Sequence, residues 1–310
     1  FQVAENGASV LYTREADSLK SVCLYSVDPK NGVQLTELWS SKLGQIASSM
    51  ALDKWGTQGA FMVTSDTVKH ALYDLYYFAT ADLKARKIAN EQIVGLPGGF
   101  AVSKFGNLAF NRDGNRLQFG IAPKPKEEPK DTLPADEKFS LDVWSYRDTV
   151  LMPMQLVNKK RIAEANYMVV SFPKEKRALA LGDIELPSIT FAENGDAPYA
   201  IGTTRLPYSL YTEPEIQMFD PSDSYLIELK TGKRTLVDDC GKGWHSATLS
   251  ENGQYVFDNY STPTVPRKIA LVNTENGKRT AYFTAENPWK GYKVPEYSCG
   301  SIKADDGVTD

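Results

Sequence analysis

One phrase recurs five times along this chain: an apolar run, a turn that ends in glycine, and a second apolar run. It reads FQVAENGASVLYT around Gly7, ALDKWGTQGAFMVT around Gly56 and LAFNRDGNRLQFG around Gly114. It returns as ITFAENGDAPYAIG around Gly195 and TLSENGQYVFDNY around Gly253. Asn-Gly or Asp-Gly between two such runs is a hairpin signal, because both residues tolerate the positive φ of a tight turn. Successive glycines lie 49, 58, 81 and 58 residues apart. That is the size of one propeller blade with long loops.

The second half of each unit repeats as well. Tyr225–Lys230 precedes Thr-Gly-Lys-Arg, and Ile269–Asn273 precedes Thr-Glu-Asn-Gly-Lys-Arg. Leu24–Asp28, Leu75–Ala79 and Tyr167–Ser171 stand in the same place in their units. The stretch His245–Phe283 therefore reads as four antiparallel strands joined by tight turns, which is one blade. Alternation of period two runs through all five units, and no segment keeps a helical period over eleven residues. Ala79–Asn90 comes nearest and is read as a helical turn. The fold class is all-β, a β-propeller with about five blades visible, part of one with seven or eight.

Two stretches break the rhythm inside the widest gap. Ala122–Lys138 carries prolines at 123, 125, 129 and 134. Proline removes an amide donor, so this stretch is expected to stay out of any ladder as an extended, solvated arm. Phe139–Gln155, FSLDVWSYRDTVLMPMQ, is apolar, aromatic and charged at once. Trp144, Tyr146, Arg147 and Asp148 are its candidates for facing a substrate or partner, since Trp, Tyr and Arg dominate binding hot spots. The competing reading packs Trp144 and Tyr146 as a strand face on the blade, with Arg147 and Asp148 capping each other.

Several chemistries find no support in the residues. A serine hydrolase needs a nucleophile, commonly in a G-x-S-x-G elbow, and none occurs. Of the two histidines, His70 reads as a strand or loop residue, and His245 sits where a strand begins with no evident nucleophile. No H-E-x-x-H, Cys/His cluster, Ca²⁺ loop or phosphate loop is present, and no cofactor is implied. Glu213 and Glu215 are a carboxylate pair on paper, but they sit beside a proline in a polar loop. Cys23, Cys240 and Cys299 form no metal spacing; three buried free thiols are expected, with one bridged pair as the alternative. The net charge of −4, from 35 basic and 39 acidic residues, lacks the basic face of a nucleic-acid binder. No apolar run approaches the length of a membrane span.

With these residues in view, a resemblance emerges. Leu141–Asp148 (LDVWSYRD), followed by Met154 and Gln155, resembles a D-x-W-x-x-x-D…Q segment in propellers of the prolyl oligopeptidase and dipeptidyl peptidase IV superfamily. YLIELKTGKRTLVDD and TLSENGQYVFDNYSTPTVPRKIALVNTENGK are similar to the last blades of those propellers. PEYSCGSIKADDGVT is similar to the crossing into the α/β-hydrolase domain, where an Asp-Gly hairpin begins. The resemblance implies propeller blades over 1–298 and the start of a hydrolase domain at 299–310. The opening FQVAENGASVLYT reads as the middle of a strand pair, so a cut or processed first residue is expected. It implies a region that gates peptide access, with nucleophile, acid and histidine all beyond Asp310. Its partners would be its own C-terminal hydrolase domain and peptide substrates. In dipeptidyl peptidases a Glu-Glu pair after Asp-Trp-x-Tyr holds the substrate's amino terminus. Here Trp144-Ser-Tyr146 leads into Arg147-Asp148, so that clamp is not carried over.

The expectation is thus a chain without catalysis of its own. The alternatives are a stand-alone propeller that binds a ligand or protein, and a glycan-acting propeller using channel carboxylates. An incomplete ring would expose the edges of its first and last blades, which would pair with another molecule or be closed by a non-adjacent segment.

Overall fold

The computed structural model describes the chain apart from residues 17–18, 29–31, 43, 66–71, 91–96, 125–133, 135–140, 146–147, 149, 212–220, 238–242, 263, 294–299 and 310. Five antiparallel meanders follow one another in sequence. Blade 1 takes β1 (Gln2–Val3), β2 (Ser9–Ala16), β3 (Leu19–Asp28) and β4 (Gly32–Ser40). Blade 2 takes β5 (Ile46–Leu52), β6 (Gln58–Thr64), β7 (Asp74–Ala79) and β8 (Arg86–Ala89). In blade 3 the first strand is broken into β9 (Phe100–Ser103) and β10 (Ala109–Phe110), both paired with β11 (Leu117–Pro123). β12 (Tyr167–Phe172) and β13 (Arg177–Ala180) complete it. Blade 4 is β14 (Ser188–Thr190), β15 (Tyr199–Thr204), β16 (Asp223–Glu228) and β17 (Arg234–Leu236). Blade 5 is β18 (Trp244–Leu249), β19 (Tyr255–Ser261), β20 (Lys268–Asn273) and β21 (Arg279–Thr284). These are the five units that the turn glycines mark out, and the fold is the all-β, propeller type expected.

The glycine turns do what their sequence requires. Gly7, Gly56, Gly114, Gly195 and Gly253 all join the first strand of a blade to the second, with φ between 67° and 73°. A side chain at φ near +70° costs about 1–2 kcal/mol. Four of these turns also nest on the blade before. A Cβ at Gly56 would lie 2.6 Å from Ser9, at Gly114 2.7 Å from Gln58, at Gly195 3.3 Å from Asn111, and at Gly253 2.9 Å from Pro198.

Between consecutive blades lie four apolar cores, and the parity of each strand decides which core a residue enters. In β6 every residue is buried. Phe61 and Val63 face blade 1 with Leu11, Val22 and Leu24, whereas Ala60 and Met62 face blade 3 with Leu117, Phe119 and Val169. Phe61 stacks on Tyr76, with ring centroids 5.5 Å apart and planes 6° apart, and Trp39 tilts against both. The pattern continues. Val170 and Leu181 meet Ala200 and Ile227, and Ile201 and Val237 meet Leu249, Val256 and Val272. Polar bolts reinforce it: buried Arg116 of blade 3 donates to the carbonyls of Gly195 and Ala197 in blade 4.

Some expectations shift. Over 79–90 the helical turn shrinks to a 3₁₀ turn at Thr80–Asp82, and Arg86–Ala89 becomes the outer strand of blade 2. Pro123 does join a ladder: it ends β11 opposite Phe100, and the next bond comes from the Lys124 amide to Gly99 O. A strand terminus tolerates the missing donor. The rest of the proline arm lies outside the described residues, apart from exposed Lys124 and Pro134. Cys23 is a buried free thiol; Cys240 and Cys299 lie outside the described residues. The turn at Asp306-Gly307 forms, with the Asp306 carboxylate accepting from the Val308 and Thr309 amides.

Two measurements test this account by chemical denaturation. Phe61→Ala, which empties a core filled from three sides, should cost about 3–5 kcal/mol. Gly253→Val should cost at least about 2 kcal/mol, while Gly277→Ala, at φ 70° in open space, should cost about 1–2 kcal/mol or less.

Candidate functional site

A meander makes its two rims unequal. The turns from first to second strand and from third to fourth lie on one rim; the connections from second to third strand, and from each blade to the next, lie on the other. On the first rim the loops are tight. On the second they are long: 65–73 in blade 2, 124–166 in blade 3 and 205–222 in blade 4. Long loops on a rigid scaffold are where binding residues concentrate. The long-loop rim is therefore the candidate site.

The insertion of blade 3 dominates it. Phe139–Gln155 falls between β11 and β12, and Trp144 does not take the strand face that the competing reading gave it. Residues 141–145 are irregular and exposed, and the Trp144 side chain stands 67% open to solvent. Tyr146 and Arg147 lie outside the described residues. Asp148 is half-buried and accepts from Gln155 Nε2 at 3.4 Å, while the same amide reaches Val150 O at 2.8 Å. The Asp and Gln of the D-x-W-x-x-x-D…Q phrase thus meet, although seven residues separate them. Two helices follow, α1 (Met152–Val157) and α2 (Lys159–Ala163), the first with proline in its opening turn, where a missing amide is harmless. They are too short to leave a periodic trace in the sequence. Neither has a buried residue, so Leu156, Val157 and Ile162 add to the apolar surface begun by Leu141, Val143 and Trp144.

Blades 4 and 5 bring Tyr208, Ser222 and His245 to the same rim, and His245 opens a buried polar network that runs into the body of blade 5. Tyr208, in a 3₁₀ turn over Leu206–Tyr211, donates its hydroxyl to Asp223 Oδ1 at 2.7 Å. Burial and then this bond push the phenol up to about 12, so it stays protonated. His245 Nδ1 lies 3.1 Å from Asp258 Oδ1, and Arg279 donates to Asp258 Oδ2 at 2.7 Å. The His245 ring also tilts against Tyr260, with centroids 4.8 Å apart. Ser222 makes this set look like a serine triad, but its hydroxyl bonds the His245 backbone, donating to O at 3.1 Å and accepting from N at 3.4 Å. A general base must reach the proton it removes. Ser222 bonds peptide atoms rather than the imidazole, and the network is built as an internal brace of blade 5.

Asp258 and Arg279 were missed from sequence alone. A signal was present: in QYVFDNY, Asp258 takes an inward position between Val256 and Tyr260, where an unpaired carboxylate would be costly. Glu213, Glu215 and His70 lie outside the described residues. Among the described residues no group of three metal-ligating side chains comes together.

Burial alone would raise the Asp258 carboxyl; the hydrogen bonds and charges of His245 and Arg279 outweigh it and hold it below the usual carboxylate range. A depressed carboxyl stabilises the fold above its unfolded pKa and loses that contribution as pH falls through the folded one. Stability should therefore drop below about pH 4. Asp258→Asn should lower the neutral-pH plateau by about 3 kcal/mol and flatten the acid limb, as read from unfolding curves at stepped pH.

No family model matches the chain. Among solved structures it is similar to a putative dipeptidyl aminopeptidase IV from Bacteroides ovatus at 14% identity, over 98% of this chain and 56% of that one, with a TM-score of 0.35. TolB from Acinetobacter baumannii is matched at 11% identity over 92% of this chain and 55% of that one, TM-score 0.35. An oligogalacturonate lyase from Vibrio parahaemolyticus is matched at 10% identity over 92% and 64%, TM-score 0.39. The chain thus spans little more than half the length of the first two. At such identities the likeness concerns the fold alone.

Proposed function

We propose that this chain is the non-catalytic propeller region of a serine peptidase of the prolyl oligopeptidase superfamily. Its long-loop rim would limit the access of peptides to a hydrolase domain of the same protein. The observation that carries the reading is the insertion of blade 3. The segment whose residues resemble that superfamily is the one that leaves the blade, exposes Trp144, and brings Asp148 to Gln155. The blade repeat is consistent with it but generic. Arg147-Asp148 in place of a glutamate pair argues against capture of a peptide's amino terminus at this position, so the role is gating rather than measuring.

Two results decide the matter. The purified chain should not turn over proline-containing peptides, and sustained turnover would overthrow its non-catalytic role. The open reading frame should continue past Asp310 into a G-x-S-x-G elbow; a stop codon close behind Asp310 would instead leave a stand-alone binding propeller. In the longer protein, Trp144→Ala should lower kcat/KM for peptides about tenfold, with the unfolding midpoint unchanged.

A further inference from the structure

Blade 3 departs from its neighbours at two positions beside blade 4. Two residues after its turn glycine stands Arg116, buried, which donates to the carbonyls of Gly195 and Ala197. In blade 2 the equivalent residue is Gln58, and its amide donates to the carbonyl of Gly114 in the same way. A neutral side chain therefore suffices to hold the next turn. The charge of Arg116 is surplus to that task, and burial opposes it, lowering the guanidinium from its ordinary pKa. Asp196 and Asp113 favour the charge from a distance, but among the described residues no carboxylate pairs with Arg116. A guanidinium carries five N–H donors, and the two carbonyls take two of them.

Four residues after the turn glycine comes a rung that faces the next blade. Leu11, Ala60 and Tyr199 fill it in blades 1, 2 and 4. Blade 3 places Gln118 there, half-buried, and among the described residues its amide has no hydrogen-bond partner. A cleft of about 160 Å³ opens beside Arg116 and Gln118, between the turn at Gly114 and the one at Gly195. Val170, Phe191 and Ala192 give it apolar walls. Glu193 lines it from blade 4, exposed and unpaired among the described residues. Asn111 and Asn194 also border it but are spent elsewhere, Asn111 on Asp196 and Asn115, Asn194 on Arg112 and Glu251. A cavity of about 150 Å³ holds a benzene, so this one has room for a molecule of about six to eight heavy atoms.

We propose that this cleft between blades 3 and 4 is a binding site for a free α-amino acid with a small apolar side chain. The carboxylate takes N–H donors that Arg116 does not spend on Gly195 and Ala197, with the Gln118 amide beside it. Arginine suits that partner through planar, charge-assisted hydrogen bonds. The ammonium group turns to Glu193, and the side chain lies against Phe191, Val170 and Ala192. Charges of both signs in one cleft favour a zwitterion, because a plain anion or cation leaves one protein charge unmatched and meets the other as a like charge. A ligand held there touches two blades at once and stabilises their contact by mass action. The cleft lies on the tight-turn rim, between two blades that each have neighbours on both sides, and does not depend on the peptidase reading.

Titration calorimetry of the 310-residue chain with L-valine tests this, with isovalerate, which lacks the ammonium, and isobutylamine, which lacks the carboxylate, as comparators. L-valine should bind saturably with Kd below about 1 mM. Isobutylamine should bind about tenfold more weakly or worse, and isovalerate about fivefold more weakly. Arg116→Gln keeps a donor for the Gly195 carbonyl, as Gln58 does for Gly114, and should weaken valine about tenfold or more with the circular dichroism unchanged. Glu193→Gln, at an exposed position, should bring valine and isovalerate to within about twofold of each other. No saturable binding of valine up to about 10 mM overturns the proposal. So does valine binding that both variants leave unchanged, or valine and isovalerate binding alike to the unaltered chain, which would make the cleft a plain carboxylate site. If Arg116→Gln does not fold, the Glu193→Gln comparison decides alone.

Discussion

A four-stranded sheet twisted into a blade has two faces and cannot bury either one by itself. Everything else in this molecule follows from that constraint. β6 is buried along its whole length because blade 2 has neighbours on both sides, whereas β19, the second strand of blade 5, alternates between exposed Tyr255 and Phe257 and buried Val256, Asp258 and Tyr260. The identity of a core residue matters less than its parity. Phe61 and Met62 are adjacent in sequence, fully buried, and belong to different cores. Stability of such an array is close to a sum over interfaces between sequence neighbours, with the ends bearing the deficit.

The same packing rule separates scaffold from site. Tight glycine turns hold one rim, where those of blades 2 to 5 nest on the blade before and have little room to vary. The opposite rim is free of that duty, and there the connections are long in blades 2 to 4, longest in blade 3. The polar groups near this rim divide by burial. His245, Asp258 and Arg279 are spent inside blade 5, satisfying one another. Trp144 and the apolar side chains of α1 and α2 are left facing outward with no internal purpose.

Much of this was legible in the residues. The five glycine turns, four of them Asn-Gly or Asp-Gly and one Trp-Gly, set the blade count and the position of every second strand, because positive φ narrows the choice of residue to very few. The outer hairpins were legible for the same reason at Gly232 and Gly277. What stayed hidden depended on contacts between segments far apart in sequence. The Arg86–Ala89 strand has little β character and forms because β7 offers it an edge. Pro123 could enter a ladder because it is the last residue of β11 and lies opposite Phe100, where its partner β9 begins. The pairing of His245 with Asp258 needs the register of β18 on β19, which fixes their diagonal placement. The α1 and α2 turns, six and five residues long, lack the length over which a period can be recognised.

The insertion in blade 3 carries one further consequence, and it is kinetic. It interrupts the hairpin between β11 and β12, whose partners are joined within a few residues in blade 1 and by 43 residues here, from 124 to 166. Closing a loop of that length in place of a two-residue turn costs roughly 2–3 kcal/mol of chain entropy. That cost falls due before the two central strands can reward it. Blade 3 is thus a poor nucleus, and a good place to finish. Blades 1 and 2 on one side and blade 4 with blade 5 on the other can assemble from local hairpins first, leaving two apolar walls between which the interrupted blade condenses.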